Sequence, residues 1–257
     1  MDKKITAQFI ILTFCIMAAT WGLCVVAGKF GVTVGEYSNH LWIYLPYMLG
    51  GWSPTIASYI VLKKNKKVSG LKQWLKNVFN VKNSAIQYLF VVFMISLFFG
   101  SQIIITGLKE MQPIYMLIAF LPVMLVGGGL EEAGWRYILQ PELDKKYGFV
   151  LSSIITAIIW FAWHIPLFYI PGTNQHEALN LWMFAIGVLG LTFSFGAIRK
   201  VSGSVFLAVL AHSMTNAGWS TFIFPRTWLG TIVSTVLLVA VSTTVVFVNN
   251  HKMKSHT

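Results

Sequence analysis

The chain has 257 residues, 56% hydrophobic and only 11% charged, with a net charge of +11 and a mean hydropathy of +0.69. A soluble domain carries about 25% charged residues, so this composition excludes an ordinary water-soluble enzyme and points to a polytopic membrane protein. Lipid demands an internally satisfied backbone, so the fold is expected to be all-α.

Eight apolar segments follow one another: Ala7–Ala27, Leu41–Leu62, Ala85–Thr106, Ile114–Leu139, Phe149–Ile170, Leu179–Ile198, Ser204–Phe222 and Trp228–Val248. No linker divides them, so residues 1–257 read as a single membrane domain, a bundle of about eight transmembrane helices. The first segment follows Met1-Asp2-Lys3-Lys4 without a clear small-residue cleavage site and is read as a retained helix. Cys15 and Cys24 lie in that segment on opposite helical faces, roughly 13 Å apart along the axis; they cannot bridge each other and read as small core residues.

The basic residues orient the bundle. If the amino terminus is cytoplasmic, fifteen of the 19 Lys and Arg fall inside: two before the first segment, seven between Lys63 and Lys82, two at Lys145–Lys146, two at Arg199–Lys200 and two in the tail. Lys29, Lys109 and Arg226 fall outside, and Arg136 lies within a segment. This is a strong positive-inside bias with both termini cytoplasmic, in a cell membrane. It accounts for the net charge without a nucleic-acid partner. In the 63–82 loop, Leu71, Leu75, Val78 and Phe79 recur at helical spacing among the lysines, as in an amphipathic helix lying on anionic lipid.

The fourth segment ends in Gly127-Gly128-Gly129-Leu130-Glu131-Glu132-Ala133-Gly134-Trp135-Arg136. An ionisable group inside a membrane segment costs at least ~2.5 kcal/mol on insertion scales, which makes it a functional candidate. Glu132 and Arg136 are four apart and can pair on one helix face. Glu131 points about 100° away and has no local partner. The glycines let a neighbouring helix or a substrate backbone approach closely.

His164 follows Trp160 by four residues in the fifth segment. Counted from a turn near Tyr147-Gly148, Glu131 and His164 are both roughly 24–26 Å along their helices, so an antiparallel hairpin brings them level. His212 and Asn216 share a face of the seventh segment, with His212 roughly 18 Å above Lys200. The remaining histidines lie in loops or the tail.

These residue types suit two mechanisms. In the first, Glu131 takes a proton from water with help from His164, while His212 and Asn216 donate to the developing oxyanion. In the second, Glu131, His164 and His212 hold a divalent metal such as zinc, with an open position for water. No His-Glu-x-x-His motif, Gly-x-Ser-x-Gly elbow or P-loop is present.

Glu131-Glu132-x-x-x-Arg136, Trp160-x-x-x-His164 and His212-x-x-x-Asn216 together resemble the three motifs of the CPBP family, the CAAX prenyl endopeptidases and bacteriocin-processing or immunity proteins also called Abi-domain intramembrane proteases. The resemblance covers residues 117–219 and is strongest to the bacterial branch. It implies an eight-helix bundle with a polar cavity open to the cytosol, Glu131 and His164 activating water, His212 and Asn216 forming an oxyanion hole, and Glu132 and Arg136 supporting the site. Trp160 stands where the family usually has Phe and is expected to pack against the cavity. The expected substrate is a membrane-associated peptide or protein: a CAAX-type tail, or a bacteriocin or signalling-peptide precursor. Two rival readings are a transporter relaying protons through the Glu/His chain and a non-catalytic immunity or binding protein.

Overall fold

A computed structural model describes residues 1–35 and 40–255; His256, read above as part of the tail, lies outside them. The regular structure of the described residues is helical apart from one short antiparallel ribbon, Glu110–Met111 (β1) with Phe222–Ile223 (β2). Five stretches are long and apolar enough to cross a membrane: Lys3–Gly28 (α1), Ala85–Thr106 (α5), Gly129–Tyr169, Leu181–Ser202 (α10) and Trp228–His251, within α12 (Trp228–Ser255). The chain is a polytopic helical membrane protein.

The remaining predicted segments are short or broken. The second divides at Trp52 into Tyr44–Gly51 (α2) and Ser53–Lys64 (α3), with Pro54 starting the new helix. The fourth divides after Met116–Gly127 (α6) into a 3₁₀ turn, Gly129–Glu131, a single helical turn, Glu132–Gly134 (α7), and a π-helical turn, Trp135–Leu139. The π turn leads directly into Gln140–His164 (α8). A short helix, Asn174–Ala178 (α9), precedes α10, and the seventh segment is Val205–Thr221 (α11).

The hairpin predicted near Tyr147-Gly148 is present. Gly148 has φ 73° and ψ 172° inside α8, a left-handed position that glycine adopts without penalty. Across this bend the Gln140 amide donates to Ser153 Oγ at 2.8 Å, and the Trp160 indole N–H to Glu131 Oε2 at 3.0 Å. Both pairs join positions nearly equidistant from Tyr147, as antiparallel arms require.

Breaking α6 frees carbonyls that lipid cannot satisfy. Neighbouring side chains take them up: Trp52 Nε1 donates to Val126 O and Thr55 Oγ1 to Leu130 O, both at 2.7 Å. Gly128 and Gly129 are needed for the close approach to α11. A Cβ on Gly129 would collide with Ser213 Oγ and stand 2.8 Å from Val209 O, and one on Gly128 would collide with the Asn216 amide.

One smaller expectation is corrected: Cys15 is exposed on the outer face of α1, and only Cys24 is buried; both are free. The lysine-rich loop contains the expected helix, Leu71–Val78 (α4), with its apolar residues along one face. Trp74 and Val78 turn into the core, with Trp74 Nε1 on Ser58 Oγ at 3.1 Å, while Leu71 and Leu75 are exposed.

The main cavity, about 640 Å³, runs from Glu131 to the loops after α8 and α11. Its exposed wall residues lie in the loops after α8 and α11, at the end away from the lysine-rich loops, and at Gly127 beside the glutamates. On the lysine-rich side of the glutamates, the fully buried Trp135, Arg136, Ile138, Leu139, Phe195 and Ile198 fill the bundle. Helices α10 and α11 line the cavity only with the halves that point away from Arg199–Lys200.

Candidate active site

Two layers of polar residues meet where the 3₁₀ turn crosses α8 and α11. The lower layer is closed. Glu132 and Arg136 are both 0% exposed, and Arg136 Nε lies 3.2 Å from Glu132 Oε2, the pairing expected from their i, i+4 spacing. The other carboxylate oxygen, Glu132 Oε1, is 2.9 Å from His212 Nδ1. The Arg136 guanidinium also lies over the rings of Trp160 and Phe195, 5.3 and 5.8 Å from their centroids, which offsets part of its desolvation. Its backbone carbonyl accepts from Arg199 Nε at 3.1 Å, tying the π turn to α10.

The upper layer faces the cavity. Glu131, His164 and His212 line it and are 8%, 7% and 6% exposed. Trp160 joins two of them: its indole N–H donates to Glu131, and its carbonyl is 2.8 Å from His164 Nδ1. A carbonyl can only accept, so this bond places the His164 proton on Nδ1 and leaves the Nε2 lone pair free. His212 is held at Nδ1 by Glu132 and stacks on Phe195 at 5.3 Å and 23°, which leaves its Nε2 free as well. Asn216, one turn beyond His212, also lines the cavity. Gly127 lines it too, with open space where a side chain would project.

The seven residues singled out from the sequence therefore meet in one region, Glu132 and Arg136 just beneath the cavity and the other five on its wall. Among the described residues no three His, Cys, Asp or Glu side chains form a group that could hold a metal ion. Glu131, His164 and His212 share the cavity without converging as a ligand set, so no step below is routed through a metal.

Three features escaped the sequence reading. Trp160 is a hydrogen-bond donor to Glu131 as well as a packing ring. Glu132 serves two partners, and the second, His212, is 80 residues away. The wall also includes Trp21 of α1 and Tyr47 of α2, linked by the Trp21 indole N–H to the Tyr47 carbonyl at 2.9 Å. Of the elements involved, α2 carried a signal at its end, since Ser53-Pro54 within an apolar run marks a break.

The comparisons with known proteins fall on the same part of the chain. Residues 113–218, from just before α6 to near the end of α11, match the family model described as type II CAAX prenyl endopeptidase Rce1-like. A curated relative, CAAX prenyl protease 2 of Methanococcus maripaludis, is 27% identical over 208 residues, covering 72% of this chain and 76% of the relative. The matched region contains both polar layers, and over it the chain is similar to the Rce1-like type II CAAX prenyl endopeptidases.

Proposed function

We propose that this protein is a membrane endopeptidase that hydrolyses a peptide bond within its cavity, using Glu131 to activate water. Glu131 takes a proton as the water oxygen attacks the scissile carbonyl carbon. The free Nε2 of His164 accepts a hydrogen bond from the same water and fixes its position. As the new C–O bond forms, the carbonyl electrons move to oxygen. With its Nδ1 on the Glu132 carboxylate, a protonated His212 has its Nε2–H left for that oxyanion, beside the Asn216 amide. Collapse breaks the C–N bond, and Glu131 returns its proton to the leaving amine. Glu132 and Arg136 orient His212 and stay out of the bond-making steps.

The observation that carries this reading is the shared wall: a carboxylate and two imidazoles, each imidazole held at Nδ1, exposed to a single cavity large enough for a peptide segment. The relative's name, CAAX prenyl protease 2, supports a CAAX-type tail as the substrate. A bacteriocin or signalling-peptide precursor has the same chemistry at the cleaved bond, and both classes reach the protein from a membrane surface.

The test is to incubate the purified protein in liposomes with membrane-associated peptides and weigh the products. Hydrolysis predicts two fragments whose masses sum to the substrate plus one water, absent with Glu131→Ala, His164→Ala or His212→Ala. Glu131-dependent ion flux without fragments would favour a transporter. Binding without fragments or flux would favour a non-catalytic partner.

A further inference from the structure

A second cavity, about 110 Å³, lies between the start of α8 and the end of α10 and shares no lining residue with the main one. Gln140, Asp144 and Phe149 border it from α8, and Gly196, Arg199 and Lys200 from α10. Asp144 and Lys200 form an ion pair and are both partly exposed, so the cavity reaches the surface.

Its polar groups are only half used. Gln140 is 4% exposed; its amide N–H donates to Ser153 Oγ at 2.8 Å, while its Oε1 is buried without a donor. Asp144 Oδ2 accepts from Lys200, and Asp144 Oδ1 is likewise buried without a donor. A Cβ on Gly196 would stand 2.2 Å from Gln140 Nε2, so bare backbone there lets the amide lie in this position. Arg199 donates Nε–H to the Arg136 carbonyl at 3.1 Å. Among the described residues nothing hydrogen-bonds to its two Nη groups, and these are not sealed from the surface. Buried acceptors without donors are unfavourable, and so is a half-buried guanidinium without an anion.

Arg199, Lys200 and Asp144 together carry one positive charge. The occupant that suits them has one negative charge, on oxygens that meet the Arg199 fork, and O–H donors for Gln140 Oε1 and Asp144 Oδ1. Water brings donors without charge, and a simple halide brings charge without donors. A phosphate monoanion flanked by hydroxyls brings both. At ~30 Å³ per water, the cavity has room for a phosphate group and an adjoining hydroxyl. It lies beside Lys145–Lys146, at the end that the positive-inside bias assigns to the cytoplasmic leaflet, and basic pockets between helices at that level take anionic headgroups.

We propose that this cavity binds a phosphate group flanked by hydroxyls, with the phosphate on Arg199 and the hydroxyls on Gln140 and Asp144. Its place at headgroup level favours a phospholipid with a glycerol headgroup; free glycerol phosphate has the same chemistry. The proposal does not rest on the endopeptidase reading.

The test titrates the full chain, stripped of lipid in detergent, with phosphatidylglycerol, phosphatidylethanolamine and phosphatidylcholine of identical acyl chains, and with glycerol phosphate, counting bound copies by native mass spectrometry. One copy of phosphatidylglycerol is expected to bind at least about tenfold more tightly than phosphatidylcholine, whose headgroup has no donor. Arg199→Gln is expected to weaken that copy about ten- to hundredfold, and Arg199→Lys by less. The double variant Lys72→Gln/Lys76→Gln, which removes two exposed charges from α4, should leave it unchanged. Glycerol phosphate binding as tightly as the lipid makes soluble phosphate the source, and binding of the lipid alone makes it the bilayer. Equal affinity of the parent for the three lipids, a preference for phosphatidylethanolamine, or no bound copy at all overturns the proposal, and so does an unchanged copy in Arg199→Gln. The parent's own selectivity decides the matter should a variant fail to fold.

Discussion

Glu131 and Glu132 are adjacent in the chain and lie in two different environments. Glu132 has no exposure and two partners, Arg136 and His212. Glu131 is 8% exposed on the cavity wall and holds one neutral donor, Trp160. On the proposed endopeptidase reading, the pair is a way for a membrane protein to keep a reactive carboxylate at depth. One carboxylate offsets the buried guanidinium and orients an imidazole, so its neighbour is left free to face solvent and substrate. The histidines divide in the same way. His164 hangs from a backbone carbonyl, which suits an acceptor, while His212 hangs from a carboxylate, which suits a charged donor.

Substitutions in the two layers should therefore fail differently. The largest effect is expected from removing one member of the closed layer. Arg136→Met leaves Glu132 buried with its charge half compensated and should cost about 3–5 kcal/mol of stability, read by unfolding in detergent. The double variant Glu132→Gln/Arg136→Met should recover much of it. Next comes His164→Ala in the cavity layer, where cleavage should fall by about 10²–10⁴-fold at an unchanged unfolding midpoint. A lowered midpoint there would blur the two layers into one structural unit. Gly129→Ala should lower stability by about 1–3 kcal/mol, because the added Cβ meets Ser213 and the Val209 carbonyl. Trp160→Phe keeps the ring and removes the N–H to Glu131, and a loss of cleavage of about tenfold is expected, without loss of fold.

The sequence was legible where a physical cost forces a pattern. Charge is expensive in lipid, so Glu131, Glu132, Arg136, His164 and His212 stood out from their apolar surroundings. Helical spacing then paired Glu132 with Arg136, and counting from Gly148 brought Glu131 level with the end of α8. Contacts between distant segments left no such mark. Nothing in the local pattern ties His212 to Glu132, or Thr55 to the carbonyl of Leu130. The division of the second segment at Trp52 was marked only by Ser53-Pro54 in an otherwise apolar run, and the mouth of the cavity could not be placed from charge alone. Charge orients the bundle, while the mouth depends on which end large side chains fill; here Trp135, Leu139 and Phe195 close the lysine-rich end.

The central claim is the division of labour between the neighbouring glutamates, and the most direct measurement compares Glu131→Gln and Glu132→Gln in one preparation, following cleavage of a membrane-anchored peptide alongside thermal unfolding. The expected result is a loss of cleavage of about three orders of magnitude with the parent's unfolding midpoint for Glu131→Gln, and a lowered midpoint for Glu132→Gln. Cleavage at the parent rate by Glu131→Gln would contradict the account.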